Sequence, residues 1–121
     1  MRRALRAPEG ERGDVALHQA RKAAKQARYA GEALVPAFGN VASRFARRMK
    51  KLQSVLGEHQ DAVIARQVVR ELGMNADQAG ENAFTYGLLY DRDDQEIGRL
   101  RQRARRTWRT ASRPGFVRWL R

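Results

Sequence analysis

The chain has 121 residues, 42% of them hydrophobic, which is enough for one small domain with its own core. Its 25 Lys and Arg against 13 Asp and Glu give a formal net charge of +12, so we expect anionic partners. The absence of cysteine excludes disulfides, thiolate catalysis and zinc sites that need Cys ligands.

Residues 1–13 contain one proline and two glycines and lack apolar periodicity, which predicts a flexible leader before a single domain of residues 14–121. The first helix is predicted to begin at Asp14, whose carboxylate can cap the free amides of the first turn. It should end near Val35, because Pro36 follows and disfavours helical backbone in the residue before it.

This first helix carries two stripes with spacings of three and four residues. The first stripe consists mostly of small residues, so a neighbouring helix can approach closely: Leu17, Ala20, Ala24, Ala27, Gly31 and Leu34. The second stripe is basic and contains His18, Lys22, Lys25 and Tyr29, with Arg21 and Arg28 beside it toward the apolar face. It can be a merely solvated face, but four crowded cations repel one another and would be relieved by an external polyanion.

A second helix is predicted after a short connection, with Asn40 as its cap. Its apolar stripe lies next to a group of cations, Arg44, Arg47, Arg48 and Lys51, which repeats the design of the first helix. We expect one long helix with a bend or a close contact at Gly57, because a mid-helix glycine costs about 1 kcal/mol relative to alanine. Gly73 is the predicted end.

A third helix is expected to start at Asn75 or Asp77, and a turn at the acidic residues 91–94 should lead into an arginine-rich fourth helix. The alternative is an unbroken helix through the acidic run. Pro114 and Gly115 should stop the last helix. Three apolar residues can then cover the end of the bundle, namely Phe116, Trp119 and Leu120. The predicted fold is all-α, an antiparallel four-helix bundle with a long, bent second helix.

The basic stripes form motifs that resemble a known family. The segments LHQARKAAKQARY at 17–29 and RRMKKLQSVLGEHQD at 47–61 are similar to those of the CHAD family, the conserved histidine α-helical domain. The resemblance runs from about residue 14 to residue 120 and is strongest to the C-terminal one of the family's two four-helix halves. It implies an all-α module that binds inorganic polyphosphate in a basic pore or groove built from both halves.

We expect no enzymatic activity, no cofactor and no metal, because nucleophile elbows, phosphate loops and helical metal-ligand spacings are absent from the sequence. His59 and Asp61 are potential ligand types, but they do not lie one helical turn apart. We expect instead that Asp61, and Glu58 with it, pairs with a cation of the first helix. The sequence has no apolar run of membrane-spanning length and no signal peptide, so a cytoplasmic location is expected, with polyphosphate granules suggested by the resemblance.

The sequence therefore predicts a module that captures inorganic polyphosphate without chemistry on it. The expected binding residues are His18, Arg21, Lys22, Lys25, Arg28, Tyr29, Arg44, Arg47, Arg48 and Lys51. For His18, a neutral interface histidine and a phosphate donor stay open. Nucleic-acid binding and a protein-interaction scaffold are the alternatives, and a homodimer or a missing companion half-module is the expected assembly. We expect the first helix to contribute more than the arginines of the last helix.

Overall fold

A computed structural model describes residues 11–120, apart from the side chains of residues 11, 12 and 116. The elements are α1 (Glu11–Ala33), α2 (Val35–Phe38), α3 (Asn40–Gln78), α4 (Phe84–Ala111), α5 (Pro114–Val117) and a 3-10 turn (Arg118–Leu120). All regular elements of the described chain are helical and pack into a bundle, which confirms the predicted all-α fold. Three of these helices are long, and the others are short segments. The predicted leader lies mostly outside the described residues.

The start of α1 corrects the role predicted for Asp14. This residue lies inside the helix, which already includes Glu11, so its carboxylate does not cap a first turn. Its side chain is buried, with 7% of the residue exposed, and it contacts other helices. The predicted end near Val35 is close to the observed one at Ala33, and Pro36 lies in the first turn of α2.

Helix α3 is continuous from Asn40 to Gln78, which confirms the long second helix. Gly39, with φ of 62°, makes the turn before it, so Asn40 is the first helical residue and not the predicted cap. The predicted end at Gly73 is wrong. A Cβ at this position would lie 3.0 Å from the Cβ of Tyr86, so the glycine allows α4 to approach closely instead of stopping α3.

The predicted boundary between a third and a fourth helix is also wrong. Residues 79–83 form the turn, where Gly80 has φ of 76° and the Asn82 side chain accepts a hydrogen bond of 2.9 Å from the Phe84 amide. Helix α4 runs unbroken through the acidic run, as in the alternative considered above. One acid of this run, Asp94, accepts a hydrogen bond of 2.7 Å from Arg66 of α3.

Helix α3 packs against both α1 and α4 and is antiparallel to both. The antiparallel packing of α1 on α3 is shown by the contacts Asp14–Arg66 and Gly31–Phe45. The antiparallel packing of α3 on α4 is shown by Glu58–Arg103 and Arg66–Asp94. The main core cluster consists of Leu17, Ala20, Ala24, Leu52, Val55, Leu56 and Ala104, with Trp108 packed against it. The small-residue stripe of α1 is thus confirmed, except that Leu34 lies outside the helix and is exposed.

The C-terminal residues cover one end of the bundle in part. The Trp119 ring lies 5.4 Å from the Phe45 ring and 5.3 Å from the Phe38 ring between centroids, which confirms its predicted packing. Leu120 is exposed, contrary to the prediction, and the Phe116 side chain lies outside the described residues.

Residues 62–96 form what we call the arm, most of which extends beyond the described part of α1; Arg66, near the start of the arm, still contacts Asp14 of α1. Large apolar side chains remain exposed there: Ile64, Val68, Leu72, Met74, Phe84 and Leu88. We call the remaining described residues, 11–61 and 97–120, the body. The predicted homodimer stays a prediction. Within the described chain, none of the helices is long and apolar enough to cross a membrane.

Candidate functional site

The basic stripe of α1 lies on the outside of the bundle. Lys22, Lys25 and Tyr29 are exposed, whereas Arg21 and Arg28 are partly buried beside them. At 1.5 Å per residue, the stripe from His18 to Tyr29 is roughly 16 Å long. The buried face of the same helix packs against the core, so the cations project from a fixed backbone instead of a loop.

Three of these cations lie close to neighbouring groups. The guanidinium of Arg21 lies over Gly57 of α3, because a Cβ there would be 3.5 Å from the Arg21 Nε. A Cβ at this position would make ordinary van der Waals contact with a side chain, so the bend or close helix contact expected at Gly57 stays a prediction. The Tyr29 ring has the Arg28 guanidinium 4.5 Å from its centroid and the Lys25 Nζ at 5.9 Å, both within cation–π range. Tyr29 thus keeps two cations beside each other.

One acid lies at the end of the stripe. Glu32 approaches Arg28, with 3.5 Å between its Oε1 and the arginine Nε. It also lines a cavity of about 400 Å³ between α1 and α3, together with Arg47 and Lys50. This cavity brings a cation of the predicted second row, Arg47, next to α1. It adds Lys50, which the sequence interpretation missed.

His18 lines another cavity, of about 540 Å³, near the start of the arm. Arg66, Arg70 and Tyr90 also line it. The Nδ1 of His18 is buried and has no hydrogen-bond partner among the described residues. The histidine thus lies at the end of the basic stripe, and its role in phosphate binding stays a prediction.

The second predicted row does not form a single face. Arg48 and Lys51 line a cavity of about 290 Å³ between α3 and α4, which has two further cations, Arg103 and Arg106. Arg44 is exposed one helical turn before Arg48. The row is divided because successive helical residues point about 100° apart and α3 has a neighbour on each side.

Arg103 and Arg106 therefore belong to a cationic cavity that the sequence interpretation did not predict. Their spacing of three residues matches that of Arg48 and Lys51, and this shared spacing could be recognised in the sequence. The pairing of the two helices was not visible in the sequence. The pairing expected for Glu58 is also corrected, since its Oε2 lies 3.6 Å from Arg103 of α4 and not beside α1.

A buried ionic cluster joins the three long helices where the body meets the arm. The Asp14 carboxylate accepts hydrogen bonds from Arg66 at 2.9 Å and from Arg101 at 3.1 Å. The His59 Nε2 lies 3.4 Å from the same carboxylate, and His59 is 1% exposed. Burial lowers the pKa of His59; Asp14 opposes this shift, and Arg101 and Arg66 add to it.

This cluster links the three long helices through buried side chains and therefore has a structural role. Asp14, and not Asp61, is the carboxylate that links α1 to its neighbours, and within the described residues no ion pair connects Asp61 with α1. Across residues 11–120, no group of three or more His, Asp or Glu side chains is arranged to hold a metal ion.

The comparisons with known proteins agree with this basic, all-α bundle. The sequence model of the CHAD domain matches residues 1–70, which include α1 and most of α3. The chain therefore belongs to the CHAD family, as its two basic motifs predicted.

Two curated relatives come from Mycobacterium tuberculosis, MT2285 and Rv2226, both named as uncharacterized proteins. Each is 38% identical over 89 residues, which is 74% of this chain and 16% of the relative. The chain thus corresponds to a small part of these longer proteins. No solved structure matches it significantly.

Proposed function

We propose that this chain is a module that binds inorganic polyphosphate through the basic stripe of α1. The observation that carries the proposal is the arrangement of Arg21, Lys22, Lys25 and Arg28 along one helix, with the two lysines exposed and the two arginines partly buried beside them. The Tyr29 ring lies next to the Arg28 guanidinium. Membership of the CHAD family supports the same ligand.

The chemistry of binding is charge neutralisation without reaction. Lysine offers a compact charge to phosphate oxygens, and arginine offers a fork of donors, so both make charge-assisted hydrogen bonds. Release of counterions from a linear polyanion adds free energy and makes the affinity depend on salt. The cavity with Arg47 and Lys50 extends the α1 stripe along α3.

The test replaces Lys22 and Lys25 together by alanine, which favours helix and removes two exposed charges. We expect affinity for long-chain polyphosphate to fall more than about tenfold and the salt dependence to become shallower. The matched control replaces Arg92 and Arg109 by alanine, which removes two exposed charges of α4. Equal losses in the two variants, at unchanged circular dichroism, would mean that binding follows net charge.

Competition separates polyphosphate from nucleic acid, the alternative ligand with the same backbone charge. Long-chain polyphosphate, duplex DNA and single-stranded RNA are compared at equal phosphate concentration and physiological salt. We expect polyphosphate to displace either nucleic acid, because the cations occupy fixed helical positions. Equal or stronger binding of RNA would contradict the proposed ligand.

A further inference from the structure

We propose that the cavity between α3 and α4 is a second anion site, which takes a short inorganic oligophosphate of two or three phosphate groups. Its lining contains four cations, Arg48, Lys51, Arg103 and Arg106, and two hydroxyls, Thr107 and Thr110. None of these six residues is acidic. The inference rests on the ligand chemistry of the proposed function, but not on the α1 residues that carry it.

The size of the cavity selects a compact ligand. At about 290 Å³, it lies at the lower end of the volumes found for small-molecule sites. A long polyanion would follow a surface, as along the exposed side of α1, whereas this cavity receives cations from two facing helices. A few phosphate groups therefore suit it better than an extended chain.

The packing of the helices creates the tetrad of cations. On α3, Lys51 follows Arg48 by three residues, and on the antiparallel α4, Arg106 follows Arg103 by three. Residues three apart share a helical face, so each helix contributes a pair of donors to the same space. Since the Thr107 hydroxyl already donates to the Arg103 carbonyl at 2.9 Å, the expected donors to the ligand are the cations.

One charge at this cavity, that of Arg103, is only weakly compensated by a neighbouring acid. Glu58 is the acid at its edge, with 3.6 Å between its Oε2 and the Arg103 Nη1, and both side chains are about half exposed. An exposed pair of this kind contributes little to stability. A phosphate oxygen can therefore replace the carboxylate at Arg103, and Glu58 becomes a competitor of the ligand.

The experiment is calorimetric titration of the chain with sodium tripolyphosphate at fixed ionic strength. Replacing Lys51 and Arg106 by glutamine removes one cation of the cavity from each helix. We expect about tenfold weaker binding of tripolyphosphate. Replacing Arg92 and Arg109 by glutamine, as a charge-matched control, should change it less than about twofold.

A gain of affinity provides an independent check. The Glu58→Gln variant removes the competing carboxylate and should bind tripolyphosphate a few-fold more tightly. The proposal is overturned if the cavity variant loses no more affinity than the control, or if Glu58→Gln does not tighten binding. Loss of long-chain binding in Lys22 and Lys25 variants tests the proposed function separately, because those residues lie outside this cavity.

Discussion

The body and the arm share two helices but differ in how these helices are covered. In the body, α1 packs on α3 and α4, and Leu52 of α3 is fully buried. In the arm, Leu72 of the same helix is 48% exposed. The difference shows that packing of α1, and not the hydrophobicity of α3 itself, decides which part of α3 lies in a core.

Charge follows the same division. The arm, residues 62–96, carries seven acids and three cations, whereas residues 97–121 carry nine cations and no acid. The arm is therefore the acidic end, and both cationic cavities with their arginines and lysines lie in the body. An anionic ligand should approach the body and be repelled by the arm.

The largest difference between the two regions should come from Asp14. Its carboxylate compensates Arg66 and the buried Arg101, so Asp14→Asn removes a charge that two guanidinium groups share. We expect the free energy of unfolding to fall by about 4 kcal/mol in urea or thermal unfolding. Asp91→Asn in the arm is the control and should change it by about 0.5 kcal/mol or less. Similar losses would show that the buried cluster does not stabilise the body.

Truncation of leucine compares the two halves of α3 directly. Leu52→Ala creates a cavity in the core and should lower the free energy of unfolding by about 3 kcal/mol. Leu72→Ala removes a half-exposed side chain and introduces a better helix former, so the expected change is about 0.5 kcal/mol or less. Chemical unfolding of both variants measures this contrast, and an equal cost at Leu72 would mean that the arm is covered in solution.

The smallest expected effect is a pH dependence at the boundary between body and arm. Burial lowers the pKa of His59 from 6.5 in the folded protein, so the unfolded chain binds more protons below pH 6.5. Stability should therefore decrease as the pH falls from 6.5 toward the folded pKa, by at most about 1.4 kcal/mol per pH unit for this group. Unfolding at several pH values should show a shallower decrease for His59→Gln. An unchanged slope would assign the effect to other groups.

The sequence by itself determined the faces of the helices. The small-residue stripe of α1, the partial burial of Arg21 and Arg28 and the continuity of α3 through Gly57 all followed from spacing along one chain segment. Such patterns are local, because a helix of 3.6 residues per turn fixes which side chains share a face. The CHAD membership could also be predicted, since its motifs lie in these same helices.

Only the tertiary structure decided which faces meet. The acidic run was predicted to form a turn, but it lies inside the continuous helix α4, where Asp94 accepts a hydrogen bond from Arg66 of α3. Asp14 was predicted to cap the first turn of α1, but its carboxylate accepts hydrogen bonds from two other helices. Arg47 and Arg48 are neighbours in sequence, yet they line different cavities, because they point about 100° apart and α1 and α4 pack on different sides of α3. The periodicity of one helix defines its surface, but the partner across each surface is set by packing between segments that are far apart in the chain.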